Sequence, residues 1–162
     1  MLRSSSILSQ NADLAAAAEM LEKGYSAALV RGGRVLSLQR GNGIRPVLRA
    51  VAESNDDVRG ASLADKVVGL AVARLTAYFG LAAVYAVVGS DSAAEELDRA
   101  GIPYEFAESV PLIMNRSGDG RCPIENLAAS GGTPEDTYRV LVRFLFGKED
   151  VVHSGVAKGI QL

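Results

Sequence analysis

Three short polar segments interrupt the apolar runs of this 162-residue chain, and each carries side chains able to do chemistry. The first is Arg40-Gly-Asn-Gly-Ile-Arg-Pro46. Arg40 and Arg45 bracket a turn containing Gly43, and guanidinium forks suit carboxylates and phosphates. The segment lacks the G-x-x-x-x-G-K-[ST] spacing of a phosphate-binding P-loop; its alternative reading is a solvated turn. The second is Ala64-Asp-Lys-Val-Val-Gly69, predicted as the entrance to an apolar helix. There Asp65 is an N-cap that accepts a bond from free backbone N–H groups. Lys66 opposes the positive end of the helix dipole, so it either reaches solvent or helps the helix end hold an anion. The third is Asn115-Arg-Ser-Gly-Asp-Gly-Arg-Cys-Pro-Ile-Glu125, a glycine-rich loop leading into a helix from Pro123. The helix dipole and Arg121 both favour a thiolate at Cys122, which makes it a candidate nucleophile; the alternative is a small structural cysteine. Asn115 and Arg116 offer an amide and a cation. Glu125 either faces a ligand or completes a helix cap.

The residue counts limit what these groups can do. The chain has one histidine, His153, and one cysteine, Cys122. An internal disulfide is therefore impossible. A metal site built from Asp65, Cys122 and Glu125 would lack the imidazoles that make zinc binding tight, so no metal, no cofactor and no zinc-dependent deaminase activity is expected. His153 lies far from all three segments, and no catalytic triad spacing recruits it. The net charge of −2 and pI of about 5.5 leave no strongly basic stretch, which argues against nucleic-acid binding. Leu75–Ser90 is uncharged but shorter than the ~20 residues of a membrane span. With no signal-peptide pattern at residues 1–10, a soluble, cytoplasmic protein with no membrane partner is expected.

The elements that position these segments are predicted from periodicity and punctuation. A helix covers Asp13–Lys23. Ser26–Arg31 and Arg34–Gln39 form a hairpin around Gly32-Gly33, and a helix runs from Pro46 to about Glu53. Val58–Leu63 is a short strand. Asp65–Phe79 is read as one helix, apolar nearly all round and therefore interior. Strand Ala83–Val88, helix Ala93–Ala100 and strand Ile102–Ala107 follow, with Val110–Asn115 a further strand. Helices begin at Pro123 and after Thr133, the last reaching about Phe146. Residues 13–146 form one domain, 1–12 a frayed lead-in and 147–162 a tail. Helices alternating with strands after a hairpin imply a three-layer α/β/α architecture with a mixed sheet.

Taken together, Gly43-Ile-Arg-Pro46, Ala64-Asp-Lys-Val-Val-Gly69 and Asn115–Glu125 resemble a small prokaryotic family, a domain of unknown function grouped with the cytidine-deaminase-like fold. The resemblance spans residues 13–146. It implies that the helix after Pro46 stands where zinc deaminases carry H-x-E, and that the helix from Asp65 replaces the one carrying P-C-x-x-C. Neither signature is present in this sequence.

The expected site gathers Arg40, Gly43, Arg45, Asp65, Lys66, Asn115, Arg116, Cys122 and Glu125 around a small anionic or nucleobase-like molecule. Arg45 and Lys66 hold the anion, Asn115 orients it, and Asp65 or Cys122 does any proton or covalent work. The alternative is a non-catalytic regulatory or structural module acting as a homo-oligomer, in which Val151, Val152 and Val156 add a strand to a neighbour's sheet edge and build a homodimer.

Overall fold

A computed structural model describes residues 5–147; His153 and the valines of the proposed tail strand lie outside them. The chain opens with a short helix α1 (Ile7–Gln10) and α2 (Ala12–Glu22). The hairpin β1 (Ala27–Arg31) and β2 (Arg34–Gln39) turns on Gly32 and Gly33, both at positive φ. Asp13 accepts hydrogen bonds from both glycine N–H groups, at 2.7 and 2.8 Å. Then come α3 (Arg45–Ser54), β3 (Ser62–Val68), α4 (Leu70–Phe79), β4 (Ala83–Ser90), α5 (Asp91–Ala100), β5 (Tyr104–Val110), α6 (Pro123–Ser130) and α7 (Pro134–Phe146).

The five strands form one mixed sheet in the order β2-β1-β3-β4-β5. β1 is antiparallel to both β2 and β3, while β3, β4 and β5 run parallel. Parallel neighbours need long crossovers, and α4 and α5 supply them. Strand alternation sorts the side chains of β1 between two cores. Ala28 and Val30 pack against α2 residues Ala17 and Leu21. Ala27 and Leu29 face the larger core, which includes Leu48, Leu75, Leu97 and Leu141 from the helices on the opposite face. The three-layer α/β/α architecture with a mixed sheet is therefore the one expected.

Three local expectations fail. Asp65–Phe79 is not a single helix, because Ser62–Val68 is the central strand β3 and the helix starts only at Leu70. Asp65 and Lys66 thus sit on a strand, and Asp65 caps no helix. Val110–Asn115 is not a continuous strand; after β5 only an isolated bridge joins Met114 to Arg121. The lead-in is not wholly frayed, since Ser6 caps α1 and donates a 2.6 Å hydrogen bond to Glu105 on β5.

Arg74 locks the helical layer. Its Nη1 donates to the Ala128 and Gly131 carbonyls at the α6–α7 junction and to Thr137 Oγ1, and its Nε lies 3.7 Å from the buried Glu96 carboxylate. Immediately beyond, Thr133 and Asp136 form a capping box that starts α7. Replacing a capping threonine by alanine removes one of the few partners of the free N–H groups. Thr133→Ala is expected to lower stability by about 1 kcal/mol in urea denaturation, with no change in the slope of the transition.

Candidate functional site

Beyond Asp65 the continuous burial of β3 breaks. Lys66 and Val67 are both exposed, and Val68 returns to the core. The break lies near the carboxyl end of β3, the end of a parallel strand where ligand crevices of α/β sheets form. A cavity of about 940 Å³ opens there, within the roughly 300–1,000 Å³ range of small-molecule sites. Its walls come from the start of β1, the 41–44 turn, the end of β3, the start of α4 and the 113–125 segment.

Asp65 is the distinctive group in this cavity. Its side chain is only 5% exposed. Oδ1 accepts a 3.4 Å bond from the Val67 N–H, whereas Oδ2 is buried without any partner. Burial pushes the carboxyl up to about 7 from its ordinary 3.8, against the opposing pull of the Val67 and Lys66 N–H groups and the Lys66 charge. Loss of hydration penalises the ionised form more than these contacts favour it. Around physiological pH the group is therefore able both to donate and to accept a proton.

Glu125 is buried in the same region but fully engaged. Its two oxygens accept from the N–H groups of Leu70 (2.8 Å) and Ala71 (3.2 Å). These are the first free donors of α4, and a carboxylate is the natural partner of that helix end. The approach requires glycine at position 69, because a Cβ there would lie 2.4 Å from the carboxylate carbon. Glu125 thus caps a helix other than its own, and is a structural tie more than a ligand contact.

The other expected residues divide sharply. Gly43, Lys66, Arg116 and Cys122 line the cavity with Asp65. Cys122 is partly buried at the N-cap of α6 and makes no side-chain capping bond. Asn115 also lines the cavity, but its amide closes its own loop: Nδ2 donates to Asp119 (2.9 Å) and Oδ1 accepts from the Asp119 N–H (3.3 Å). Arg40 and Arg45 lie outside. Arg40 stacks over the Tyr25 ring and donates to the Gly24 carbonyl, while Arg45 faces the Phe146 ring at 5.4 Å. Neither arginine therefore lines the cavity, and an aromatic ring lies beside each guanidinium.

Sequence reasoning missed Ser26. It is buried at the start of β1, and its hydroxyl donates to the Gly41 carbonyl at 2.8 Å while accepting from the Gly41 N–H at 3.2 Å. This pins the 41–44 turn as one wall. Ile44 and Val72 add buried apolar surface, and Ile113 and Ile124 half-buried surface. A second groove, of about 510 Å³, runs between β2 and the end of α3. Two of its three acids are already bonded, Glu53 to Ser37 and Gln39 and Asp57 to Arg34. Among the described residues no three His, Cys, Asp or Glu side chains are grouped as a metal ion requires. No helix among them is long and apolar enough to cross a membrane.

Comparison with known proteins places the chain beside one family. The profile of TM1506, a domain of unknown function (DUF1893), matches residues 16–145. The crystal structure of a DUF1893 family protein (TM1506) from Thermotoga maritima superposes with a TM-score of 0.73 at 22% identity, over 88% of this chain and 93% of that one. Acinetobacter baumannii RibD gives a TM-score of only 0.46 at 17% identity, over 88% of this chain and 42% of RibD. No curated protein matches.

Two measurements test this geometry. Gly69→Ala is expected to destabilise the protein by about 2–3 kcal/mol, in the range of overpacking and a lost buried bond. The loss is expected to shrink in a Glu125→Ala background, where the clash is gone; additive losses would show that the two residues do not meet. Because the folded Asp65 value lies above the unfolded one, stability is full below about pH 3.8 and declines as pH rises towards 7. Wild type is expected to lose as much as about 4 kcal/mol relative to Asp65→Asn between pH 3 and pH 8, as read by urea denaturation. Parallel profiles would contradict the burial of an ionisable carboxyl.

Proposed function

We propose that this chain, a member of the DUF1893 family, binds a small molecule in the cavity at the end of β3, and that the Asp65 carboxyl recognises it. One observation carries the reading: Asp65 lines a large cavity, and its Oδ2 is buried without a partner. Buried polar groups are nearly always hydrogen-bonded, and leaving one unsatisfied costs about 1–3 kcal/mol or more. A ligand N–H or O–H placed against Oδ2 recovers that cost.

The surroundings favour one of the two ligand types the sequence left open. A free anion at the depth of Asp65 meets a carboxyl that is partly ionised at neutral pH, and Arg40 and Arg45 are engaged elsewhere. A nucleobase-like nitrogen heterocycle fits better, with its N–H edge on Asp65 and its ring faces on Ile44, Val72 and Ile124. Asp65 and Cys122 are the residues placed to carry any proton transfer or covalent step on such a ligand, the carboxyl because its value lies near working pH. We read the architecture as kin to the deaminase-like fold. On that reading the starts of α3 and α4 carry Arg45-Pro-Val47 and Leu70-Ala-Val-Ala73 where the zinc signatures would stand.

The test is a panel of small nitrogen heterocycles titrated into the labelled protein and followed by amide chemical shifts. Shifts are expected to cluster at residues 26, 41–44, 65–72 and 113–125. Asp65→Asn, which keeps the side chain's shape, is expected to weaken the best binder about tenfold or more, the scale of a hydrogen bond to a charged group. Binders that map elsewhere, or that ignore the substitution, would overturn the reading.

A further inference from the structure

We infer that the cavity selects a two-ended ligand, with an N–H-donating, apolar-sided head against Asp65 and an anionic end held at the mouth by Lys66 and Arg116. This rests on the Asp65 reading and adds the class of molecule. The cavity changes character with depth. The Asp65 side chain is 5% exposed and offers an acceptor with no partner. Of the other lining residues, Ile44 and Val72 are buried, and Ile113 and Ile124 are half-buried. Lys66 and Arg116, both lining residues, are exposed.

The two cations are available for binding. Among the described residues neither forms an ion pair, whereas Arg34, Arg74, Arg99 and Arg139 each face a carboxylate. The carboxylate of Glu125, also on the wall, is held by the α4 N–H groups. Asp119 is exposed and bonded to Asn115 within its own loop. The charge pattern is therefore an acceptor at depth and two uncommitted cations outside.

That order rejects ligands with only one kind of end. A simple carboxylate or phosphate satisfies Lys66 and Arg116 but gives Oδ2 no donor. A simple cation satisfies Asp65 but enters past two exposed like charges, which disfavour its approach. An amidine or amino-heterocycle bearing a carboxylate or phosphate at its far end meets both requirements. The cavity volume of about 940 Å³ leaves room for a ring and a short spacer.

The experiment compares benzamidine, benzoate, 4-amidinobenzoate and 3-(4-amidinophenyl)propanoate by amide-shift titration at pH 7. The last two carry both ends at different spacings, so that length alone does not decide the result. At least one two-ended probe is expected to bind roughly tenfold more tightly than either single-ended one, the gain available from two exposed ion pairs of ~0.5–1 kcal/mol each. Lys66→Met and Arg116→Met alter exposed side chains and leave the core intact. Each is expected to remove part of that gain, while benzamidine binds as well or better. Asp65→Asn is expected to weaken benzamidine and the two-ended probes alike. Two-ended probes no tighter than benzamidine, with both methionine variants silent, would overturn the inference and leave the Asp65 reading standing. Benzoate binding as tightly as any probe and indifferent to Asp65→Asn would overturn both. No binding by any probe would overturn the two-ended inference, and the heterocycle panel decides the Asp65 reading separately.

Discussion

The pair of hydrogen bonds that the Leu70 and Ala71 N–H groups donate to the Glu125 carboxylate is the tie on which the cavity depends. It joins the start of α6 to the start of α4, across 55 and 54 residues of sequence. A buried carboxylate is tolerated only when it is hydrogen-bonded, and the unsatisfied donors of a helix N-terminus suit it well. Position 69 must be glycine for the two groups to meet. Once α6 is fixed in this way, Cys122 and the 113–121 loop are held over the end of β3. Ser26 performs the matching task on the other side by pinning Gly41.

The two buried acids that line the cavity behave in opposite ways. Glu125 spends both oxygens on backbone donors. Asp65 leaves one oxygen unpaired, and burial raises its proton affinity. The chain thus retains a costly group where a leucine or asparagine would cost less, in the wall of a cavity large enough for a ligand. Stability alone does not explain such a choice, and it is on this ground that recognition of a donor is proposed. Arg74 offers the contrast within the same fold: its Nε is also short of a hydrogen bond, but its Nη1 is consumed in holding α6 and α7.

The sequence made local chemistry legible and long-range chemistry obscure. The Gly32-Gly33 turn, the Pro123 helix start and the Thr133–Asp136 cap each depend on neighbours within a few residues, and all are where the sequence put them. The apolar run through Val67 and Val68 was ambiguous, because a buried parallel strand and a buried helix share the same hydrophobic signature. The adjacent β-branched pair and the following Gly69 were the signals for a strand end. Asp65, Lys66, Arg116 and Cys122 line one cavity even so, since polar groups that interrupt apolar runs mark such a place regardless of secondary structure. Arg40 and Arg45 were not separable from them by sequence. Only the fold brings the Tyr25 and Phe146 rings to those guanidinium groups. The role of Glu125 was hidden for the same reason, as its partners lie on another helix.

The most direct measurement is the carboxyl-carbon NMR titration of Asp65 in the intact protein, alone and with a bound heterocycle. A midpoint near 7 that moves when the heterocycle binds is expected if this carboxyl is the recognition group. A midpoint near the ordinary 3.8, unchanged by ligand, would contradict both the burial of Asp65 and its assignment to the site.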